Sequence, residues 1–136
     1  MENKPKVRVL YNNCYGGFTF SQEAFLEINQ RLTLQDRKPL TSVHSYVSIS
    51  DRCDPIFLQV YDLLGSRFSG KHSNIQVELV DEKCKHFIDI TEYDGLESVE
   101  INTENYTLSN IMNIIESQTF SDREKVQKIK SILEKK

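Results

Sequence analysis

Between residues 75 and 101 three runs of alternating apolar and polar residues follow one another with little between them. They are Ile75-Gln76-Val77-Glu78-Leu79, Phe87-Ile88-Asp89-Ile90-Thr91 and Leu96-Glu97-Ser98-Val99-Glu100-Ile101. Alternation of period two predicts strands. Gaps this short leave no room for the roughly dozen residues of a helical crossover, so the strands pair antiparallel. Tyr93-Asp94-Gly95 joins the last two, and Asp-Gly is a strong signal for a two-residue hairpin.

Helices surround this run. Residues 6–10 predict a first strand, and Ser21 predicts the cap of a helix to about Leu32, with Glu23 at its positive end. Val43, Ser45, Val47 and Ile49 share one face of an expected second strand. Asp54-Pro55 predicts the sharpest helix start: Asp54 caps, and Pro55 occupies the position where a missing N–H costs nothing. Ile56, Phe57, Val60, Leu63 and Leu64 then form an apolar stripe that ends at Gly65 or runs on to Phe68. Further helices are expected near Leu108–Ser117 and from Ser121, where Ser121-Asp122-Arg123-Glu124 has the capping-box pattern. The order β-α-β-α-β-β-β-α-α predicts one α+β domain, a mostly antiparallel sheet covered by helices, with two C-terminal helices.

The balance of charge narrows the function. The 136 residues carry a net charge of −3 and 38% hydrophobic residues, which fits a globular chain. That balance points away from bulk nucleic acid, which calls for a strongly basic face. No apolar stretch approaches the ~18 residues of a membrane span, and Met1-Glu2-Asn3-Lys4-Pro5 has no apolar leader core. Three widely spaced cysteines, Cys14, Cys53 and Cys84, favour reduced thiols in a cytoplasm.

The first candidate site is the loop Tyr11-Asn12-Asn13-Cys14-Tyr15-Gly16-Gly17-Phe18-Thr19-Phe20-Ser21. A Gly-rich turn between a strand and a helix start presents free N–H groups to a phosphate, with the Ser21 hydroxyl beside them. Tyr11, Asn13, Cys14 and the rings of Tyr15 and Phe18 complete a pocket in which a base can stack. Arg52, just ahead of the Asp54 helix start, offers a planar fork for phosphate. Arg67 and Lys71, in a loop with Gly70, are further phosphate candidates. Glu92, Asp94 and Glu97 can hold a ribose diol or a divalent ion, although turn chemistry is the simpler reading. Cys84-Lys85-His86 lacks the ligand number of a zinc site. No cofactor, metal or catalytic set is implied. The last helix, with Lys125, Lys128, Lys130, Lys135 and Lys136, has an apolar stripe suited to the sheet or to another copy of the chain.

Asn13-Cys14-Tyr15-Gly16-Gly17-Phe18, Ser21, Arg52-x-Asp54-Pro55, Leu64-Gly65, Ser69-Gly70 and Glu92-Tyr93-Asp94-Gly95-x-Glu97 stand in an order that resembles a family of small bacteriophage and giant-virus proteins. The resemblance spans residues 6–101. Members of that family continue past the hairpin with a His/Arg/Trp-containing segment, from which this chain, without tryptophan, departs. The resemblance implies a viral protein in the host cytoplasm that acts against host defence. The role inferred from it is a homo-oligomeric sponge for a nucleotide second messenger, a cyclic ADP-ribose type or a cyclic oligonucleotide, held without cleavage. A small nucleotide-processing enzyme and a protein-binding inhibitor of a host factor are the alternatives.

Overall fold

The computed structural model describes residues 5–117 and 119–134. Met1-Glu2-Asn3-Lys4, Lys135 and Lys136, read above from the sequence, lie outside the described residues. The chain divides into two compact units, Met1–Glu100 and Ile101–Lys136.

The first unit opens with β1 (Lys6–Asn12), which leads through the Gly loop to α1 (Gln22–Leu34). The Ser21 hydroxyl accepts the Ala24 N–H at 3.0 Å and so caps α1 as expected. Ala24, Ile28 and Leu32, four apart, form its buried face. A short α2 (Ile49–Arg52) and then α3 (Pro55–Leu64) follow. Asp54 caps α3 through the Ile56 N–H at 2.9 Å. Gly65, at φ 56°, ends the helix in a conformation that favours glycine, and a 3-10 turn carries the chain to Phe68. Five apolar residues of α3 are buried: Ile56, Phe57, Leu58, Val60 and Leu64.

β2 (Ile75–Asp81) pairs antiparallel with β1, from Lys6 opposite Asp81 to Asn12 opposite Ile75. One face of the pair turns Leu10, Ile75 and Val77 into the main core with α1 and α3. Phe20 stands at the centre, its ring 5.5 Å from those of Phe18 and Phe68 in edge-to-face geometry. After a 3-10 turn over Glu82–Phe87, β3 (Ile88–Tyr93) and β4 (Leu96–Ile101) form a second two-stranded sheet. Asp94 and Gly95 both have positive φ, 50° and 89°, as the primed turns of tight hairpins require.

The α+β class and the antiparallel pairing match the reading of the sequence. The strands are shared between two small sheets, however, and no strand forms at Val43–Ile49. Serine hydroxyls explain this. Ser45 Oγ accepts the N–H groups of Thr41 and Ser42, and Ser48 Oγ caps α2 through Asp51. Local side-chain bonds of this kind replace a sheet ladder. Val47 is still buried, reached by an irregular chain.

The second unit contains α4 (Thr103–Glu116) and α5 (Asp122–Glu134). Asn102 caps α4 by accepting the Asn105 N–H, which starts the helix five residues earlier than Leu108. Ser121 and Glu124 form the expected reciprocal box. Among the described residues, no helix is long and apolar enough to cross a membrane.

Candidate functional site

The Gly loop is closed from two sides. Gly16 and Gly17 take φ of 141° and 90°. A Cβ on Gly16 would run into the His72 carbonyl, and a Cβ on Gly95 would run into the backbone nitrogens of Gly16 and Gly17. The tip of the β3–β4 hairpin therefore lies directly on the amides expected to receive a phosphate. The 70–74 segment is sewn to the same loop. Ser73 Oγ donates to the Gly17 carbonyl at 2.6 Å and accepts the Thr19 N–H at 2.9 Å. Asn13 N–H reaches the Asn74 carbonyl at 2.8 Å, and the Cys14 thiol reaches the His72 carbonyl at 3.1 Å. An open cleft of about 510 Å³ remains beside Tyr15, Gly16 and Gly17, but Glu92 and Asp94 edge it. Two carboxylates on the lining repel an anion.

Asn12 and Arg52 hold the hairpin down. Asn12 has no exposed surface. Its amide donates to the carbonyls of Cys14 and Gly95, both at 2.8 Å, and its Oδ1 accepts the Asn74 N–H at 2.8 Å. Arg52 forms a bidentate pair with Glu97 at 2.7 and 2.9 Å, the two side chains only 8% and 9% exposed. Arg52 Nε donates to the Val47 carbonyl and Nη1 to the Leu10 carbonyl. Its guanidinium carbon stands 4.4 Å from the Phe18 ring centre, a cation–π contact. Glu97 also accepts the Asn12 N–H at 2.8 Å. The Gly loop and Arg52 thus come together in space, as a joint inside the protein. The anion that Arg52 meets is Glu97, and the ring of Phe18 is covered by Arg52 and Phe20.

Other residues singled out in the sequence also have internal partners. Ser21 donates to the Arg67 carbonyl at 2.5 Å besides capping α1, and Arg67 pairs with Glu23 at 3.0 Å. Asp54 accepts from both terminal nitrogens of Arg37, at 2.9 and 3.2 Å, which raises the guanidinium pKa above its ordinary value. Tyr11 is half-buried on β1, while Lys71 and Tyr15 are exposed.

The start of α3 holds a different opening. A cleft of about 490 Å³ has apolar walls of Ile49, Pro55 and Ile88. Ser50, Cys53, Lys85 and His86 supply its polar groups, and Asp54 its rim. The volume falls in the range of small-molecule sites, which also pair apolar walls with a few polar groups. Burial pushes the Cys53 thiol up, against the opposite pull of Lys85 and Arg52. The thiol is therefore a neutral wall group near pH 7. With Asp54 paired to Arg37, Lys85 sets the sign of the cleft, at the positive end of α3. A more open cleft of about 520 Å³ lies along Lys38, Thr41 and Tyr46, with Asp51 on its lining.

The sequence reading found the place, the Arg52–Pro55 helix start, but not the polar groups that reach it from elsewhere in the chain. Lys85 and His86 read there only as neighbours of Cys84. The 3-10 turn over Glu82–Phe87 brings them round to α3, and Asp81, capping that turn through the Lys83 N–H at 3.0 Å, was the available signal. Among the described residues, no group of three or more His, Cys, Asp or Glu side chains is placed to hold a metal ion. Comparison with protein-family models, curated proteins and solved structures returns no match.

Proposed function

We propose that the protein binds a phosphate-bearing, nucleotide-type ligand in the cleft at the start of α3 and sequesters it without turnover. The observation that carries this reading is the convergence of Lys85, His86 and Ser50 with three apolar walls in one opening of about 490 Å³. Lysine and the positive end of a helix complement a phosphate. Ile49, Pro55 and Ile88 suit the flat face of a base or sugar. Sequestration rather than turnover is supported by the carboxylates that would serve as acid or base. Asp54 caps α3 and pairs with Arg37, Glu97 pairs with Arg52, and Glu92 accepts the Gly95 N–H. The anti-defence sponge implied by the family resemblance is one form of this activity, with the ligand moved from the Gly loop to α3.

Thermal shift against ADP-ribose derivatives and cyclic di- and trinucleotides tests the proposal, with mass spectrometry of the ligand recovered after denaturation. A ligand bound only by the folded chain stabilises it by about 2.7 kcal/mol at a hundredfold excess over Kd. The expected result is a shift with one of these classes, intact ligand on recovery, and loss of the shift in Lys85→Ala/His86→Ala. Both side chains are exposed, so that variant keeps its unliganded Tm. No shift with any nucleotide, or a shift untouched by the double variant, overturns the reading.

A further inference from the structure

The cleft of about 520 Å³ beside Tyr46 adjoins the cleft at the start of α3. Arg37 lines the first and Asp54 the second, and the two side chains meet at 2.9 Å. On α2, Ser50 lines the α3 cleft and its neighbour Asp51 lines the other. The Arg37–Asp54 pair is thus a ridge shared by two openings. On the far side of that ridge Tyr46 is 86% exposed, the highest value among the described large hydrophobic residues. An exposed ring on the wall of a cleft offers a flat face on which a base of any kind can stack. Next to it Ser45 Oγ accepts the N–H groups of Thr41 and Ser42 at 3.0 and 2.9 Å and lies 3.1 Å from Thr41 Oγ1. Those bonds hold both hydroxyls in place.

Charge sorts which part of a ligand each opening suits. Lys85 gives the α3 cleft its sign, and a phosphate belongs there. In the cleft beside Tyr46, Arg37 is engaged by Asp54, which leaves Lys38 and Asp51 to offset one another. A lining without net charge does not draw a phosphate. The Asp51 carboxylate, unlike that of Asp54, enters no ion pair among the described residues. A free carboxylate accepts from the hydroxyls of a ribose, as acidic residues do in dinucleotide-binding folds. Tyr46, Asp51 and the fixed hydroxyls therefore match the uncharged parts of a nucleoside.

We propose that the cleft beside Tyr46 is the second half of the nucleotide site, taking the sugar and base of a second nucleoside, so that the ligand is of dinucleotide type. The proposal rests on the α3 cleft being the phosphate site. The first nucleoside and its phosphate occupy that cleft, the chain of the ligand crosses the Arg37–Asp54 ridge, the second base stacks on Tyr46, and its ribose donates to Asp51.

Calorimetric titration of the full chain with each 5′-mononucleotide, and with the linear and cyclic dinucleotides of the same base, tests this. The expected result is a dinucleotide that binds about tenfold tighter, or more, than its mononucleotide, the gain of one added base stack. Tyr46→Ala should remove that gain and leave the mononucleotide Kd unchanged. Tyr46 is exposed, so the variant keeps its unliganded Tm. Mononucleotide binding that depends on Lys85, with no gain for any dinucleotide, overturns this proposal and leaves the α3 cleft reading standing. A gain that survives Tyr46→Ala also overturns it. Binding of none of these probes overturns both.

Discussion

Arg52 shows how one residue type supports two opposite roles. An arginine ahead of a helix start suits an incoming phosphate, and it suits an internal carboxylate equally well. What separates the two is whether an acid arrives from elsewhere in the chain. Glu97 arrives from forty-five residues away, carried by a hairpin that docks on the Gly loop. Removing one member of such a pair strands the other charge in the interior. Glu97→Ala is therefore expected to cost about 3–5 kcal/mol, read as a fall in urea midpoint. Replacing both, as Arg52→Met/Glu97→Leu, should cost less than the sum of the single changes, because neither charge is left behind. Strict additivity in that cycle would show that the pair does not couple the hairpin to α2.

At the scale of elements, glycines that look alike in sequence have different duties. Gly65 and Gly95 both have positive φ, yet a Cβ at Gly65 meets nothing within 4 Å, and at Gly95 it meets the Gly16 and Gly17 backbone. Gly65→Ala thus loses only conformational preference, about 1–3 kcal/mol. Gly95→Ala loses that and must also lift the hairpin off the loop, so a larger loss is expected by chemical denaturation, with faster hydrogen exchange across β3 and β4. Equal losses would mean that the close approach costs nothing. Elements whose signals are local were legible in the sequence: the caps at Ser21, Asp54 and Ser121, the Asp94-Gly95 turn, and the apolar stripes. The strand expected at Val43–Ile49 failed because serine hydroxyls at 42, 45 and 48 satisfy the backbone locally. The 3-10 turn at Glu82–Phe87 was missed because its cap is its main local signal.

Over the whole molecule, Arg52, expected to meet a phosphate, ties distant segments together with Asn12 and Glu97. Asn12, Arg52 and Glu97 have no periodic signature, since their partners are set only once β1, α2 and the hairpin meet. The cleft at α3 was hidden for the same reason, Lys85 and His86 coming from a turn about thirty residues further along. That cleft leaves a mark on global stability through Cys53. Burial holds the thiol's pKa above its ordinary value, so the folded chain keeps a proton that the unfolded chain releases first. The associated stability is fully present below the ordinary thiol range, near about 8.5, and is lost as pH rises through the higher folded value. Urea midpoints measured from neutral to alkaline pH should fall more steeply for the native chain than for Cys53→Ala. Parallel curves would place Cys53 in contact with water.

The pairing of β1 with β2 has a consequence for how the molecule is made. The ladder closes over everything between Asn12 and Ile75, so β1 leaves a ribosome with no strand partner until Ile75–Asp81 has been synthesised. Until then α1 and α3 can collapse on Leu10, but the backbone edge of residues 6–12 stays open, the kind of edge that templates pairing with other chains. Synthesis that stalls before Ile75 yields fragments in which β1 has no strand partner, whereas synthesis past Asp81 covers the edge that faces β2.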